Sequence, residues 1–255
     1  MSVQNQFGDA ATGALTIRFS KPSDVPQVLK FYDDHRHPNV DDRGDDIFTD
    51  RTESGRALLV FTPDGEIGMS SMSHPMKGTG AVEIGSTLSP MEYRLYTFVI
   101  ASQIIHEFLE RTPEDSFFAC IHKGNPVTDI LNKKVGWEYL TPTQAFADSV
   151  GEGANIAKLN WLHVPTNTLG HQARIVLEQI NKGYLEHKKT GARINLDLHG
   201  FSLAQEFRHH VEELAQGRFG EMLEKSLPLP LKAARKALQD YQAGGEYFPQ
   251  LTPKP

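Results

Sequence analysis

The sequence lacks several features that would place it in a special class of protein. Among its 255 residues is one cysteine, Cys120, so neither an internal disulfide nor a cysteine-based zinc cluster can form. No stretch approaches the roughly 18 apolar residues of a membrane-spanning helix. Basic residues are not in excess, since 26 Lys and Arg stand against 32 Asp and Glu, which disfavours nucleic-acid binding. The first residues show no secretory signal, so we expect a cytoplasmic protein.

Charge and pattern divide the chain into two parts. Residues 1–164 carry a net charge of −8 and residues 165–255 a net charge of +2. Residues 1–14 are small and polar and are expected to form a flexible tail. Strand and helix patterns alternate over residues 15–164, whereas only helical periodicity follows Pro165. The sequence therefore predicts an α/β domain over 15–164 and an α-helical C-terminal extension over 165–255.

The order of elements in the first part predicts a mixed sheet. Strands are expected at 15–19, 57–61, 66–73, 81–88, 116–121, 137–140 and 155–164, with helices after Asp24, from Ser89-Pro90 to Arg111, and at 125–134. The three consecutive strands predict antiparallel hairpins, and the later strand–helix–strand connections predict parallel pairing. We expect a mixed, mostly antiparallel sheet flanked by helices.

One local motif adds to this order. Asn125 opens the predicted helix, and Lys134-Val135-Gly136 followed by Trp137 leads into the next strand. Together with the element order, this stretch resembles the GCN5-related N-acetyltransferase (GNAT) superfamily. The resemblance implies an N-acyltransferase in which an amine attacks acetyl-CoA or another acyl-CoA directly. It also implies that the coenzyme lies where the fourth and fifth strands separate.

The start of the helix after the fourth strand is the expected phosphate site. A helix N-terminus offers unpaired N–H groups and partial positive charge to a pyrophosphate. The family signature at this point is Arg or Gln, two residues, Gly, one residue, and then Gly or Ala. Arg94 matches its first position, but Thr97 and Val99 occupy the two glycine positions. Their side chains narrow the approach of the backbone to a phosphate. Arg94 is alternatively a solvated charge. The resemblance assigns the coenzyme to Leu88, Ser89, Arg94, Leu95, Thr97 and Asn125.

Three residues are candidates for proton transfer. Glu83 lies within the fourth strand, where the family often carries its general base. His74, next to a turn, and His122, just past the fifth strand, are candidate proton shuttles near neutral pH. The alternatives are that Glu83 occupies the solvent face of a strand and that each histidine is an ordinary loop histidine. The family's usual acid, a Tyr, is replaced by Asn132, so the general acid is unassigned.

The acceptor side is indicated only by charge. Residues 33–53 hold eight Asp or Glu against three Arg, and in this superfamily the corresponding connection helps to wall the acceptor site. We therefore expect a small-molecule or peptide amine acceptor, with a cationic one favoured. The spacing of His and Asp in this segment matches no metal-ligand pattern, so no metal is expected.

Two other functions remain open. The missing glycines and the missing Tyr also fit a catalytically inactive GNAT-like interaction or regulatory module. An acyl synthase that takes its acyl group from an acyl-carrier protein fits the missing glycines as well. A homodimer formed through the helical extension is a further expectation.

Overall fold

The sheet is built from strands whose apolar patterns differ according to how many of their faces are covered. The computed structural model describes residues 13–36, 43–76, 81–93, 95–110, 116–150, 156–165, 168–198, 201, 209, 211–213, 215 and 216. Within them, nine strands form one sheet in the order β6-β7-β5-β4-β3-β2-β1-β9-β8. Pairing is parallel between β4 and β5 and between β1 and β9, and antiparallel between the other neighbours.

The bounds of the elements are as follows. The strands are β1 (Ala14–Phe19), β2 (Ala57–Phe61), β3 (Ile67–Met76), β4 (Ala81–Leu88), β5 (Ser116–His122), β6 (Glu138–Leu140), β7 (Leu159–His163), β8 (Tyr184–Glu186) and β9 (Arg193–Asp197). The helices are α1 (Val25–Asp34), α2 (Asp45–Glu53), α3 (Tyr96–Glu110), α4 (Val127–Ile130), α5 (Gln144–Val150) and α6 (Leu169–Lys182). A 3₁₀ turn at Pro22–Asp24 precedes α1, and α4 continues as a π-helical turn at Leu131–Val135.

Helices cover both faces of the sheet. On one face, α3 and α6 enclose a core that includes Leu58, Val60 and Phe98. On the opposite face, α1 and α2 pack on Ala57 and Leu59 of the same strand. Because successive residues of a strand point to opposite faces, β2 reads as a continuous apolar run rather than an alternation. The predicted mixed sheet flanked by helices is confirmed.

The helix predicted from Ser89-Pro90 begins later than the periodicity suggests, at Tyr96. The segment before it is held in a non-helical form by its contacts: the Glu92 carbonyl accepts a hydrogen bond from Lys188 N, and Tyr93 forms a bridge with His187. Tertiary contacts therefore override a helical pattern in this segment.

The expectation that the chain is purely helical after Pro165 is wrong for the described residues. Helix α6 is present, but Gly183, with φ of +71°, ends it at Lys182. The following residues form the hairpin β8–β9, and β9 pairs with β1. Tyr184 and Leu185 fit the helical period of α6, so their pattern does not predict a strand. The division of the chain at residue 165 stays a prediction, as does a dimer, because most of the extension lies outside the described residues.

A buried ion pair joins β2 to α3. Arg56, directly before β2, donates from Nη1 to Glu107 Oε2 over 2.6 Å, and the Glu107 side chain is 0% exposed. The Arg56 carbonyl also accepts from Gln103 Nε2 and from Ser73 N. A carboxylate in this position depends on its partner, because removing one member of a buried pair leaves the other charge uncompensated.

We predict that Arg56→Met lowers the free energy of unfolding by about 3–5 kcal/mol, since it leaves the Glu107 carboxylate buried without its cation. Urea denaturation measures the change. The control is Lys133→Met, which breaks the exposed Lys133–Asp129 pair, 68% and 65% exposed, and should leave stability within experimental error. Equal, small effects for both variants would contradict the prediction.

Candidate active site at the opening between β4 and β5

The parallel pair β4–β5 separates after a short common stretch. The strands pair at Ala81↔Ser116, Val82↔Phe117 and Glu83↔Phe118, and no further pair joins them. Beyond that point β4 stays paired with β3 as far as Leu88, while β5 stays paired with β7 as far as His122. An opening therefore lies between residues 84–88 of β4 and residues 119–122 of β5.

A β-bulge lies on the β4 side of this opening. Met72 pairs with Gly85 and Ser70 with Leu88, so β4 has one more residue than β3 between these pairs. Ser86, within the bulge, has φ of +45°, a left-handed conformation that is rare for residues other than glycine. Bulges re-aim side chains and occur often beside active sites. The backbone strain at Ser86 is offset by the contacts described next.

Tyr32 of α1 fixes the bulge from the α1–α2 face. Its hydroxyl donates to the Ser86 carbonyl and lies 3.1 Å from Ser70 Oγ. The ring stacks on Phe48 of α2 with centroids 4.3 Å apart. Burial raises the pKa of Tyr32, so the phenol stays protonated and remains a donor.

Glu83 does not occupy a solvent face. Its side chain is 4% exposed, and Oε2 accepts from Arg43 Nη2 over 2.5 Å. A Cβ added to Gly85 would lie 3.1 Å from Glu83 Oε1, so the carboxylate extends over the glycine toward the opening. The lack of a side chain at position 85 leaves room for this conformation. Glu83 is thus a buried, ion-paired carboxylate beside the point where the strands separate.

His74, a candidate proton shuttle from the sequence, lies within β3 rather than in a loop. It pairs with Glu83 in the β3–β4 register, is 2% exposed, and its Nε2 lies 2.9 Å from Ser86 Oγ. Burial, and then the nearby Arg43, Arg51 and Arg56, hold the pKa of His74 well below its usual value, so the imidazole is neutral. The contact with Ser86 has no signal in the sequence, because a bulge register cannot be read from one strand alone.

His122 and Glu83 lie on the same face but far apart. His122 is four residues beyond Phe118, the partner of Glu83, which corresponds to about 13 Å along β5. His122 is half-buried and pairs with Leu159 of β7. The structure therefore brings His74, not His122, to Glu83, and the proton-shuttle role of His122 stays a prediction.

Asn125 and Asn132 serve the local backbone. Asn125 Oδ1 accepts from Val127 N over 3.0 Å and so caps the start of α4. Asn132 Nδ2 donates to the Trp137 carbonyl over 2.8 Å and holds the turn into β6. Gly136, between Asn132 and Trp137, has φ of +83°, which explains a glycine in the Lys134–Trp137 motif. The hydrogen bond of Asn132 leaves the general acid without a candidate at that position.

The predicted coenzyme residues are spread over the segment from β4 to α3. Leu88 and Ser89 are half-exposed at the end of β4, whereas Leu95 is fully buried in the core. Thr97 is the second residue of α3 and is half-exposed. Arg94 lies outside the described residues. The structure thus leaves Leu88, Ser89 and Thr97 accessible near the opening and directs Leu95 away from it.

The two residues that replace the signature glycines, Thr97 and Val99, differ in where their side chains lie. Val99 is 0% exposed and packs in the core beneath α3. Its side chain therefore does not stand in front of the helix N-terminus. Tyr96, the first residue of α3, is tied to β4 by a hydrogen bond with Thr87. Of the two substituted positions, only Thr97 presents a side chain near the start of the helix.

Every helix among the described residues is too short or too polar to traverse a bilayer. The same residues hold no cluster of three or more His, Cys, Asp or Glu side chains arranged to bind a metal ion. Cys120, on the β5 side of the opening, packs partly against the cluster of Phe118, Phe146 and Trp161.

No family model and no curated protein matches the sequence. Solved structures do match it. A ribosomal-protein-alanine N-acetyltransferase from Brucella melitensis is 18% identical and covers 58% of this chain and 98% of its own, with a TM-score of 0.43. A GNAT-family acetyltransferase from Bacillus cereus is 12% identical, with coverages of 60% and 97% and a TM-score of 0.42. Diaminobutyrate acetyltransferase from Paenibacillus lautus, solved with diaminobutyric acid and coenzyme A, is 8% identical, with coverages of 59% and 95% and a TM-score of 0.42.

At identities of 8–18% and TM-scores of 0.42–0.43, neither the fold nor the activity of these neighbours is carried over to this chain. The described sheet itself has the antiparallel β1–β4 order followed by a parallel, diverging β4–β5 pair, as the resemblance implies. The described residues therefore form a mixed α/β fold.

We predict that protonation of His74 destabilises the folded protein at mildly acidic pH. Its folded-state pKa lies below the unfolded value of 6.5, so the unfolded state binds the extra proton and stability falls as pH falls below 6.5. Between pH 7.5 and 5.5 this contributes a loss of about 1.4 kcal/mol. Urea denaturation of the wild type and His74→Gln at both values measures it.

The control for this prediction is built into the comparison. His163, whose pKa is also lowered by burial, is present in both proteins, and so are the paired groups Arg43 and Glu83. The variant should therefore lose less stability than the wild type over this pH range. Parallel losses in the two proteins would show that His74 does not titrate as stated.

Proposed function

We propose that this protein is an N-acyltransferase that transfers an acyl group from acyl-CoA to an amine. The observation that carries the proposal is the end of β4–β5 pairing at Glu83↔Phe118, with a buried carboxylate at that point. An opening between two strands of one sheet accepts an extended chain, and a carboxylate beside it can take a proton from an attacking amine.

The backbone on the β4 side suits an amide-containing arm. Ser73 N donates to the Arg56 carbonyl, on the side of β3 away from β4. Its partner Ile84 is therefore in a non-hydrogen-bonded pair, and the N–H and C=O of Ile84 face β5. Because β5 diverges after Phe118, such groups can bind the amides of a pantetheine arm as a neighbouring strand would.

The phosphates of the coenzyme would lie at the start of α3. The first N–H groups of this 15-residue helix have no partner within the helix and carry partial positive charge. Ser89 and Thr97 are half-exposed on either side of this start and add hydroxyl donors. Leu88 would border the arm at the end of β4, and Asn125 the departing thiol. Arg94 stays part of the proposal from the sequence alone.

The transfer step uses Glu83 as the base. The amine nitrogen forms a bond to the thioester carbon, Glu83 accepts the amine's proton, and the carbon–sulfur bond breaks with its electron pair leaving on the thiolate. Arg43 orients the carboxylate through Oε2, and the carboxylate extends over Gly85 toward the opening. Backbone N–H groups of the bulge, near Gly85 and Thr87, would polarise the thioester carbonyl.

The acceptor we propose is an amine on a small molecule or peptide. Helices α1 and α2 cover the face of the sheet on which Glu83 lies. Their exposed carboxylates include Asp33, Asp45 and Asp46. They favour a cationic acceptor through long-range attraction. Two arginines of this segment do not oppose it, because Arg43 is paired with Glu83 and Arg51 with Asp50.

One observation favours an acyl-carrier protein as donor instead. Glu92, in the segment before α3, places a carboxylate near the proposed phosphate site, where it is paired with Lys189 over 2.6 Å. A carrier-bound pantetheine arm has no adenosine pyrophosphate to be repelled there. Both donors would place a pantetheine arm in the opening between β4 and β5. They would differ only in the group that lies at the proposed phosphate site.

We predict that the protein binds acetyl-CoA or a longer acyl-CoA with a one-to-one stoichiometry and transfers the acyl group to amines. Calorimetry measures binding, and mass spectrometry of an amine panel measures transfer. Transfer from acyl-carrier protein alone would favour the second donor. Absence of both binding and transfer with every donor would refute the proposal and favour a non-catalytic module.

We predict that Glu83→Gln lowers kcat/KM by about 10²–10⁴-fold, because the amide cannot accept the amine's proton. Steady-state kinetics against pH measure the loss. The matched control is Glu66→Gln, an exposed carboxylate in the β2–β3 turn, which should retain full activity. Activity of Glu83→Gln at the wild-type level would remove Glu83 from the mechanism.

A further inference from the structure

The hydrogen bond between His74 and Ser86 has no role in the mechanism above. It joins a 2% exposed imidazole to a half-exposed hydroxyl over 2.9 Å. Ser86 lies on the strand that borders the opening, beyond the last β4–β5 pair. Ser86 is thus half-exposed beside the opening, and its hydroxyl contacts the buried imidazole.

The direction of this hydrogen bond follows from the other ring nitrogen. Among the described residues, His74 Nδ1 is buried and has no hydrogen-bond partner. A proton on Nδ1 would leave a buried N–H donor unpaired, whereas a proton on Nε2 leaves only a lone pair, which proteins tolerate better. Nε2–H therefore donates to Ser86 Oγ. Because Oγ accepts this bond, the Ser86 proton is directed to another acceptor.

The surrounding charges indicate what kind of group accepts the hydrogen bond from Ser86. Three arginines lower the pKa of the buried His74 further: Arg43 and Arg51 on the α2 side, and Arg56 before β2. Glu83 faces His74 across the β3–β4 pair. Glu107 pairs with Arg56. The nearby guanidinium groups oppose an imidazolium and favour negative charge beyond the hydroxyl. A neutral imidazole that donates is suited to stabilise an oxyanion without giving up its proton.

We infer that Ser86 is a catalytic residue whose hydroxyl, positioned by His74, donates a hydrogen bond to the thioester oxygen as it becomes an oxyanion. This inference rests on the proposed acyl transfer. No proton leaves Ser86 or His74: the amine's proton goes to Glu83, and the thiolate carries away the electron pair of the carbon–sulfur bond. Ser86 combines a left-handed backbone with this contact between its hydroxyl and the imidazole.

The test compares variants that remove the hydroxyl with a matched control. Ser86→Ala should lower kcat about 10²-fold and leave KM for acyl-CoA and the Kd of CoA within threefold, since the bond strengthens only in the transition state. Ser86→Gly also lacks the hydroxyl, but glycine suits φ of +45°, so it should be at least as stable and equally slow. The control Ser71→Ala removes a hydroxyl bonded to Thr87 on the opposite face of the same bulge and should stay within threefold of wild type.

A double-mutant cycle tests whether His74 acts through Ser86. His74→Leu should lower kcat to the level of Ser86→Ala, and the double variant should show no further loss. His74→Gln, which retains a donor near Nε2, should recover part of the rate. Additive losses would assign His74 a separate role and overturn its part of the inference.

A measurement independent of turnover tests the geometry. Two-bond ¹⁵N–¹H correlation spectra should show His74 protonated on Nε2, and protonation on Nδ1 would overturn the inference. Wild-type turnover in both Ser86 variants would overturn it while leaving the acyltransferase function intact. If the wild type itself transfers no acyl group from any donor, the inference fails together with that function.

Discussion

The early end of β4–β5 pairing is the constraint on which the site depends. Three residue pairs hold the strands together, after which each strand continues with a different neighbour. Backbone groups that would be paired inside a closed sheet are thereby left for a ligand. Helices on both faces keep the two halves of the sheet in place, so the opening is a fixed feature of the fold.

The charges at this opening are buried as pairs rather than as single groups. Glu83 is paired with Arg43, and Glu107, on the other face, with Arg56. Their mutual compensation allows ionised groups to persist where water is largely excluded. Burial, and then these arginines, hold the pKa of His74 well below its usual value, so the imidazole acts in the site as a hydrogen-bond donor or acceptor and not as a charge.

Much of the core architecture could be predicted from sequence because its signals are local. The apolar run of β2 and the turn residues after it give its bounds, and β4 is bounded by Gly80 and Ser89. The hairpin β8–β9 was missed because Tyr184 and Leu185 continue the period of α6, and only the left-handed Gly183 ends the helix.

The candidate site was only partly predictable. Glu83 is found from its place in a strand, but its partner Arg43 comes from a distant segment that reads as an acidic loop. The bond of His74 to Ser86 depends on one extra residue in β4, which shifts the register by a single position. Such a shift is a property of two strands together, and a single sequence contains no signal for it.

The terminal strands of the sheet have a consequence for how copies of this protein meet. Strand β9 pairs with β1, which would otherwise be an edge strand of six residues. The edge strands of the sheet are instead β8 and β6, of three residues each. Strands this short offer few backbone groups to a second sheet. Within the described residues, joining two copies edge to edge is therefore disfavoured, and self-association would have to use helical or loop surfaces.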